Sequence, residues 1–588
     1  MWNNQKRKIS VLDAKSFADI MLPYDFKLSL NGGYYVSSRL DSKYENTKVG
    51  DGAPAGRLQK TNSINTSITF NQLLTWKHDF GKHNVDALVG HEFYTYEYNY
   101  LYGMKQGQVL EGINEFPNFT NISSLSSVTD KDRIESYISR INYTYDDKYF
   151  ATASFRRDGS SRFSDDVRWG NFFSGSLGWN LYKEDIFRNI DWLNSLKLRG
   201  SYGETGNNSL YDPDGYTTFY PYQSLYELGY NNGMSNVTGM LAKTTMGNNN
   251  LTWETNKQTN IGVDFGFLNR FTGSVEWFNR QSDNLLFYVP MPLSSGVFYQ
   301  PQNIGSMYNR GIEVSLTANV LNTADGFRWT SSINATTYKN EVTKMPKENP
   351  YIIKGTKRLE KGHSIYDYYL RQWAGVDPRD GAGLYIYNDE LGDAAFNEAA
   401  TPYIYRTIDG KKYTTDPNKA KYDYSGSSIP DVFGGWTNTF SYKGINLSVL
   451  LTYAFGGKTY DDSYAGLMGY SAGGAMHVDM KNAWQQPGDI TDVPRIDAAK
   501  NSNFMASSTR WLTSSNYVAI KNISLGYTFP ESILSKMGIK GMNAYVSGDN
   551  LSLFCKRKGM NPQEAMSGVT SNTYSMARIF TFGVNLTL

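Results

Sequence analysis

The sequence predicts an all-β chain whose antiparallel strands form one large transmembrane β-barrel. Three observations predict this fold: apolar and polar residues alternate along the strands, very short connections alternate with long ones, and the last strand is amphipathic. A barrel also explains how a chain of 588 residues can remain a single domain, because one closed sheet can include many strands.

Alternation with a period of two residues is the dominant pattern along the chain. From 445 to 455, large apolar residues occupy the odd positions, and the even positions are mostly polar or small. The stretches 270–277 and 522–529 alternate in the same way. Such strands face water and a core in a soluble sandwich, or lipid and a wet lumen in a membrane barrel. Alternation alone leaves both folds open.

The connections between the predicted strands favour the membrane barrel. Very short turns are predicted at 80–82, 146–148, 268–270 and 442–444. Long polar segments are predicted at about 206–256, 281–307, 388–430 and 456–513. Long segments without regular structure are unusual in compact soluble domains. Outer-membrane barrels instead combine short periplasmic turns with long external loops.

The C-terminal residues predict a final strand with one apolar face. That face is formed by Met576, Arg578, Phe580, Phe582, Val584, Leu586 and Leu588. A terminal amphipathic strand is typical of the signal that the outer-membrane assembly machinery recognises. We therefore predict that Phe580, Phe582, Val584, Leu586 and Leu588 form an assembly-signal strand. The alternative is an ordinary strand at the edge of a sheet.

Composition excludes several classes of protein. Aromatic residues make up 15% of the chain and charged residues 19%, which suits strands that are half apolar and half polar. No run of about 18 apolar residues could span a bilayer as a helix. The net charge of +2 predicts no nucleic-acid partner. With Cys555 as the only cysteine and five histidines, no internal disulfide is possible and a histidine-rich metal site is disfavoured.

Two kinds of short motif could indicate chemistry, and neither has the required context. Residues 469–473 fit the G-x-S-x-G pattern, with His477 close by, but that motif needs a strand, a sharp turn and a helix. The turns 377–381 and 212–215 are rich in aspartate but lack the distal glutamate of a calcium loop. We predict no enzymatic activity and no cofactor, with a loop calcium ion as the alternative.

Aromatic residues in the long segments are the candidates for ligand contact. These are Tyr216, Tyr220, Tyr222, Tyr464, Tyr470 and Trp484. Sugar rings stack on aromatic side chains, and peptides also pack against them. The alternative is that these residues pack the loops together or belong to the aromatic girdle at the membrane interface. We predict that a subset of them lines a ligand cavity.

Several ordered segments of the chain carry a resemblance to a known protein family. The longest are FRRDGSSRFSDDVRWGNFFSGSLGWNLYKEDIF, from 155 to 187, and WLNSLKLRGSYGETGN, from 192 to 207. Further matches begin at 309 (NRGIEVSL), 369 (YLRQWAGVDPRDGAGLYIY), 429 (IPDVFGGWTNTFSYKGINLSV), 516 (NYVAIKNISLGYTFP) and 543 (NAYVSGDNLSLF). Together they resemble the SusC/RagA family of TonB-linked outer-membrane transporters. The resemblance covers nearly the whole chain, and it is weakest over roughly the first 25 residues.

The resemblance implies an outer-membrane importer of a Gram-negative, Bacteroidota-type cell. Family members have a 22-stranded barrel, an N-terminal plug and a segment that the TonB complex pulls. A SusD-like surface lipoprotein caps the mouth, and the ligands are oligosaccharides or peptides. We count about 18 strands against about 22 in plugged transporters. We therefore expect residues 1–588 to be a barrel domain from which the plug, the TonB-contacting segment and the first strands are missing.

Two other functions fit parts of the sequence. A passive porin-like barrel, or a non-functional barrel fragment, is compatible with a missing plug. A soluble carbohydrate-binding protein made of β-sandwiches shares the alternation and the aromatic residues. Loop lengths and the terminal strand favour the importer over the soluble protein.

Overall fold

The computed structural model describes residues 2–188, 190–230, 239–242, 245–347, 349–535, 538–564, 567–571 and 573–587. Within these residues, 17 strands belong to the main antiparallel sheet, which confirms the predicted fold class and agrees with the predicted strand count to within one. The chain divides into two compact units, comprising 1–180, 199–259 and 281–305, and 181–198, 260–280 and 306–588.

Seven long strands run consecutively through the first unit, and each pairs antiparallel with the next. They are β1 (Asn4–Met21), β2 (Phe26–Glu45), β3 (Arg57–Phe80), β4 (His83–Gln108), β5 (Phe119–Tyr145), β6 (Tyr149–Ser160) and β7 (Trp169–Asn180). The predicted turns at 80–82 and 146–148 join β3 to β4 and β5 to β6. Asp146 and Asp147 both have positive φ there, a conformation that aspartate tolerates in tight turns.

The two faces of this seven-stranded sheet differ in polarity. Val89, Phe93 and Leu101 of β4 point to one face and are exposed. Asp132 and Ser136 of β5 point to the other face and are buried. Side chains alternate along each strand, and directly paired residues of neighbouring strands project to the same face of the sheet. Each face therefore extends across all the paired strands. The sheet therefore has one apolar exposed face and one polar face.

The next seven strands comprise three long strands of 13 to 15 residues and four short strands of four or five. They are β8 (Leu193–Asn207), β9 (Tyr226–Tyr230), β10 (Gly239–Ala242), β11 (Glu254–Phe267), β12 (Phe271–Asp283), β13 (Leu286–Pro290) and β14 (Tyr299–Asn303). Short strands β9 and β10 pair with each other in the segment that joins β8 to β11, which we call the 208–253 segment. This segment is anchored by a buried cluster of Phe163, Phe172, Leu210, Leu251 and Trp253.

Seven further strands of the main sheet belong to the second unit. They are β15 (Ser306–Asn322), β16 (Arg328–Lys344), β25 (Val432–Tyr442), β26 (Ile445–Phe455), β29 (Tyr517–Thr528), β30 (Gly541–Cys555) and β31 (Ile579–Thr587). Each pairs antiparallel with the next one named. The predicted turn at 442–444 joins β25 to β26, and that at 268–270 joins β11 to β12.

The segment 345–431, between β16 and β25, is longer than the 388–430 segment predicted from the sequence and is not structureless. It contains β17 (Tyr351–Lys354), β18 (Lys357–Glu360), β19 (Asp367–Arg371), β20 (Trp373–Val376), β21 (Gly383–Ile386), β22 (Tyr405–Ile408), β23 (Lys411–Thr414) and β24 (Tyr422–Ser427). These strands form two small four-stranded sheets. The prediction missed them because each is short and has little room for alternation.

The segment 456–516, between β26 and β29, contains β27 (Lys458–Tyr460) and β28 (Leu512–Ser514), which pair with each other. Tyr368, Leu370, Tyr460, Ala465, Met468, Ala483, Val493 and Trp511 form its buried cluster together with β19. Within the described part of the chain, the α-helices are short: α1 (Asp185–Arg188), α2 (Asp462–Leu467), α3 (Asn501–Phe504) and α4 (Glu531–Leu534). Turns of 3-10 helix lie at Phe116–Asn118, Leu181–Lys183, Leu293–Ser295, Asp389–Leu391, Asp393–Ala395, Pro417–Lys419, Val478–Asn482, Thr509–Trp511 and Pro562–Glu564. No helix within the described ranges is both long and apolar enough to cross a membrane.

The terminal strand β31 is shorter than predicted. It begins at Ile579, so Met576 and Arg578 precede it, and Leu588 lies outside the described residues. Phe580, Phe582, Val584 and Leu586 are all exposed on one face of β31. Of the residues between them, Thr581 pairs with Ser547 and Asn585 with Asn543 of β30, which places polar side chains on the other face. The amphipathic pattern of the strand is therefore present, and its role in assembly stays a prediction.

Candidate functional site

A cavity of about 280 Å³ lies in the second unit, where two connecting segments meet. One wall comes from the 456–516 segment, at α2 and the residues that follow it. The other comes from the segment that joins β30 to β31, which we call the 556–578 segment. Its lining includes Asp461, Tyr464, His477, Arg557, Asn561 and Glu564. The cavity therefore brings together residues that lie far apart in the sequence.

Tyr464 is held in place on three sides. Its hydroxyl donates a hydrogen bond to Oδ2 of Asp479 at 2.9 Å. Its ring packs edge-on against His477, with centroids 4.8 Å apart, and the guanidinium of Arg557 lies 3.7 Å from the ring centroid. Burial, together with the hydrogen bond to Asp479, raises the pKa of the Tyr464 hydroxyl to about 12. The hydroxyl is therefore neutral and stays a hydrogen-bond donor at physiological pH.

Arg557 has an unused donor at this site. Its Nε lies 3.3 Å from Oδ2 of Asp461, and its Nη1 is buried with no hydrogen-bond partner among the described residues. Leaving a buried donor unpaired costs about 1–3 kcal/mol. The Arg557 side chain, which is 28% exposed, thus forms part of the cavity wall and keeps one donor buried and unpaired within the described residues.

Asp461 fixes the position of Arg557 through several contacts of its own. Its Oδ1 accepts a hydrogen bond from the backbone N–H of Tyr464 at 3.1 Å, which caps the start of α2. The same oxygen accepts a hydrogen bond from Oγ1 of Thr570, also at 3.1 Å. One buried carboxylate thus ties α2, Arg557 and the 556–578 segment together.

Glu564 organises the opposite wall. Its carboxylate accepts hydrogen bonds from Nδ2 of Asn561 at 2.8 Å and from Oγ1 of Thr573 at 3.2 Å. It also accepts one from the backbone N–H of Met576 at 3.3 Å. The cavity thus offers an aromatic ring, a cation, carboxylates and hydroxyls. This combination suits a polar ligand with several hydrogen-bonding groups rather than an apolar one.

The structure separates the three aromatic residues that the sequence suggested for this unit. Tyr464 lines the cavity of about 280 Å³. Tyr470 lines a much smaller one, of about 20 Å³, and exchanges hydrogen bonds between its backbone and the Asn501 side chain. Trp484 donates from Nε1 to the carbonyl of Pro378 at 3.1 Å and covers Gly381, where a Cβ would lie 2.5 Å from the indole. Their joint role in ligand contact stays a prediction.

The other three suggested residues lie in the 208–253 segment of the first unit. Tyr216 is exposed, and its backbone N–H donates to Asp212. Tyr220 accepts a hydrogen bond from the backbone N–H of Lys131 at 2.9 Å, and the Tyr222 hydroxyl accepts one from Gln223 at 2.8 Å. Tyr220 therefore fastens the segment to β5, whereas the Tyr216 side chain is exposed. Ligand contact by these three tyrosines stays a prediction.

The two aspartate-rich turns are turns, as predicted, and one forms an ion cluster. Arg406 of β22 donates through Nη1 to Asp377, and through Nη1 and Nη2 to Asp380 at 2.8 and 2.7 Å. Arg379 binds Asp377 with its Nη2 at 2.8 Å. The Asp377 side chain is 0% exposed. The guanidinium groups of Arg379 and Arg406 therefore bind the carboxylate oxygens that a calcium ion would need as ligands.

Acid should loosen the ion cluster in a defined pH range. Burial alone would raise the pKa of Asp377, but hydrogen bonds from Arg379 and Arg406 outweigh it and lower the pKa to about 2. A lowered folded-state pKa stabilises the protein above the ordinary value of 3.8, and this contribution is lost as the pH falls through about 2. We expect hydrogen exchange in residues 373–414, referenced to β25 and β26, to accelerate between pH 4 and pH 2. Unchanged relative protection over that interval would contradict this assignment.

The G-x-S-x-G residues 469–473 follow α2 in an irregular segment, without the strand, turn and helix of a nucleophile elbow. His477 instead accepts a hydrogen bond at Nδ1 from the backbone N–H of Asp479, at the start of a 3-10 turn. Its role here is to cap that turn and to support Tyr464.

Comparison with known proteins places the barrel strands in a family. The family described as "TonB dependent receptor-like, beta-barrel" matches residues 6–551. The chain belongs to this family. It is therefore a barrel of the bacterial outer membrane, in a family of transporters rather than enzymes, as predicted. Membership is incompatible with the alternative of a soluble β-sandwich protein.

Relatives of this TonB-dependent receptor barrel support the resemblance to SusC and RagA. TonB-dependent receptor P39 of Formosa agariphila is 28% identical over 95% of this chain and 57% of its own length. TonB-dependent receptor SusC of Bacteroides thetaiotaomicron is 28% identical over 88% of this chain and 50% of its own. The structure of the RagAB peptide transporter superposes with a TM-score of 0.85 at 26% identity, covering 99% of this chain and 62% of that one. The chain thus spans little more than half the length of the curated relatives that it matches most fully.

Sequence reasoning missed the residues of the 556–578 segment that complete the cavity. Arg557 lies within three consecutive basic residues, 556–558, in a chain with only 19% charged residues. This local run of positive charge was the sequence feature that could have indicated Arg557. Its partner Asp461 lies almost a hundred positions earlier, so only the folded receptor barrel shows the pair.

Proposed function

We propose that the full-length protein containing this receptor barrel is a TonB-dependent importer of oligosaccharides or peptides that works with a SusD-like surface lipoprotein. The match to SusC and to the RagAB peptide transporter over nearly the whole chain carries this proposal. The cavity around Tyr464 and Arg557 supports it, since its lining suits a polar, extended ligand. Membrane lipid surrounds the apolar face of the strands.

Uptake by cells tests the proposed transport. A strain lacking the gene should fail to take up one class of nutrient from mixtures of labelled oligosaccharides or peptides, and loss of TonB should have the same effect. Affinity purification from the outer membrane should recover a surface lipoprotein with the barrel. The passive porin alternative predicts instead a large, steady conductance in planar bilayers and uptake that does not require TonB. If both results were obtained, the protein would be a passive pore and not an importer.

Replacing Tyr464, Tyr470 and Trp484 together by alanine should lower the affinity of the full-length protein for its transported ligand by at least about tenfold. Tyr464→Leu alone should account for most of the loss, because Tyr464 is the one of these three residues that lines the 280 Å³ cavity. Affinity is measured by isothermal titration on protein in detergent. Tyr403→Ala is the matched control, since Tyr403 is an exposed tyrosine of the 345–431 segment. If the triple variant bound the ligand with unchanged affinity, these three residues would not belong to the ligand-binding site.

A further inference from the structure

A row of five tyrosines occupies every second position of β4 from 94 to 102. Its members are Tyr94, Tyr96, Tyr98, Tyr100 and Tyr102, which we call the tyrosine row. Because successive side chains of a strand point to opposite faces, all five lie on one face of the sheet. The rings of Tyr98 and Tyr100 have centroids 6.2 Å apart, and those of Tyr100 and Tyr102 are nearly parallel at 6.4 Å. The side chains are half-buried.

The tyrosine row lies on the polar face of the sheet. Its direct partners on β3 are Thr69, Ser67, Asn65, Ser63 and Thr61, in the order of the row. All five are uncharged and can donate or accept hydrogen bonds. The exposed apolar residues Phe93 and Leu101 of β4 lie on the other face. In an outer-membrane barrel the apolar face meets lipid, and the polar face lines the lumen.

The position of the row along β4 places it on the outer side of the membrane. Gly81 and Lys82 form a short turn, and short turns lie on the periplasmic side. A strand needs about 9–11 residues to cross the bilayer, so Tyr94 lies where the crossing ends. At about 3.3 Å per residue, the row continues for roughly 26 Å beyond that point. It therefore extends from the end of the crossing towards the external loops.

One end of the row is anchored by the 208–253 segment. Tyr96 stacks on Phe219 with ring centroids 6.1 Å apart, and its hydroxyl donates to Asn65 at 2.8 Å. The Arg162 guanidinium lies 5.2 Å from the Phe219 ring centroid, and its Nη2 binds the buried carboxylate of Asp132 at 2.7 Å. These contacts fix Tyr96, while Tyr98, Tyr100 and Tyr102 stack along the strand. The row is therefore held in place at Tyr96, near the end of the row that lies closer to the bilayer.

We propose that the tyrosine row is a stacking path for neutral oligosaccharide chains. A sugar ring has an apolar face of C–H groups and an edge of hydroxyls, and the row offers rings beside a line of serine, threonine and asparagine side chains. A peptide needs partners for its backbone and for charged side chains and termini, and the β3 side of the row supplies no charge. On the β5 side, Asp132 and Asp130 lie opposite Tyr96 and Tyr98, and Asp132 is already paired with Arg162. Carboxylates also accept hydrogen bonds from sugar hydroxyls, so this side of the row is compatible with a neutral sugar chain. The inference rests on the proposed import function and selects oligosaccharides from the two ligand classes.

Titration of the full-length protein in detergent tests the row. The probes are neutral hexasaccharides of glucose and of mannose, their disaccharides, and hexapeptides. At least one hexasaccharide should bind more tightly than its disaccharide, because a longer chain contacts more of the row. The double variant Tyr98→Ser, Tyr100→Ser should weaken that binding by at least about tenfold. The double variant Tyr98→Phe, Tyr100→Phe keeps both rings and should bind within about threefold of the unchanged protein.

Tyr34→Leu is the matched control, since Tyr34 is an exposed tyrosine of β2 that shares a face with Ile68 rather than with the row. Heat-modifiable migration on gels confirms that each variant forms its barrel. Binding of hexapeptides alone, or hexasaccharide binding that the serine variant leaves unchanged, would overturn the assignment. TonB-dependent uptake by cells is measured in parallel: if uptake persists while the row has no effect, only this inference fails, and if uptake needs no TonB, the import proposal fails as well.

Discussion

Replacing Arg406 with methionine should destabilise the 345–431 segment by about 3–5 kcal/mol. The Arg406 side chain is only 6% exposed and binds both Asp377 and Asp380. Without it, the buried Asp377 carboxylate keeps only its contact with Arg379. Removing one partner of a buried ion pair is costly because the other charge stays buried and poorly compensated. Limited proteolysis of intact cells, followed by mass spectrometry of cleavage sites within 345–431, measures the effect.

Arg379→Gln provides the matched control for this change. Arg379 binds the same carboxylate at 2.8 Å, but its own side chain is 61% exposed. An exposed partner contributes about 0–1 kcal/mol, so protease resistance should change little. Equal sensitivity of the two variants would mean that burial of the guanidinium does not decide the stability of the cluster. The acid sensitivity expected for this segment should also decrease in Arg406→Met, because the lowered pKa of Asp377 depends partly on Arg406.

Replacing Phe582 with arginine should strongly reduce the amount of assembled barrel in the outer membrane. Phe582 lies near the middle of β31, a strand of nine residues, and it is 80% exposed on the apolar face. A charged residue on the lipid face near the bilayer midplane costs about 2–4 kcal/mol. If β31 is also the assembly signal, insertion itself should fail. The heat-modifiable folded fraction in purified outer membranes measures the result.

Thr581→Arg places the same charge one residue earlier, on the opposite face of β31. Thr581 pairs with Ser547 of β30, so the new side chain would project from the polar face. We expect near-normal assembly of this variant. If both variants assembled equally well, the apolar face of β31 would not face lipid, and the predicted assembly-signal strand would be wrong.

The strands and their faces could be predicted from the sequence because the physical rule is local. Side chains alternate across a strand, so the pattern at 445–455 already separates its two faces. The turns at 80–82, 146–148, 268–270 and 442–444 were equally local and are confirmed. The eight short strands of the 345–431 segment escaped prediction because strands of four to six residues carry too little periodic signal.

The candidate site could be predicted only in part. Tyr464 was chosen as an aromatic residue in a long segment, and it does line the cavity. Arg557 was missed, since its place in the cavity wall depends on contacts with Asp461 and Tyr464, which lie far away in the sequence. The five tyrosines of the row can be recognised in the sequence because they occupy alternate positions. Its polar surroundings became visible only when strand register set it opposite serine, threonine and asparagine residues of β3.

The sequence by itself determined the fold class, several strands and short turns, and the family, because alternation and ordered family segments are properties of neighbouring residues. Only the tertiary structure decided which distant residues meet: Asp461 with Arg557, Asp377 and Asp380 with Arg406, and Tyr96 with Phe219. The physical reason is that such contacts depend on strand register and on the paths of the long connecting segments. Both are set by hydrogen bonding and packing between parts of the chain that are far apart in sequence.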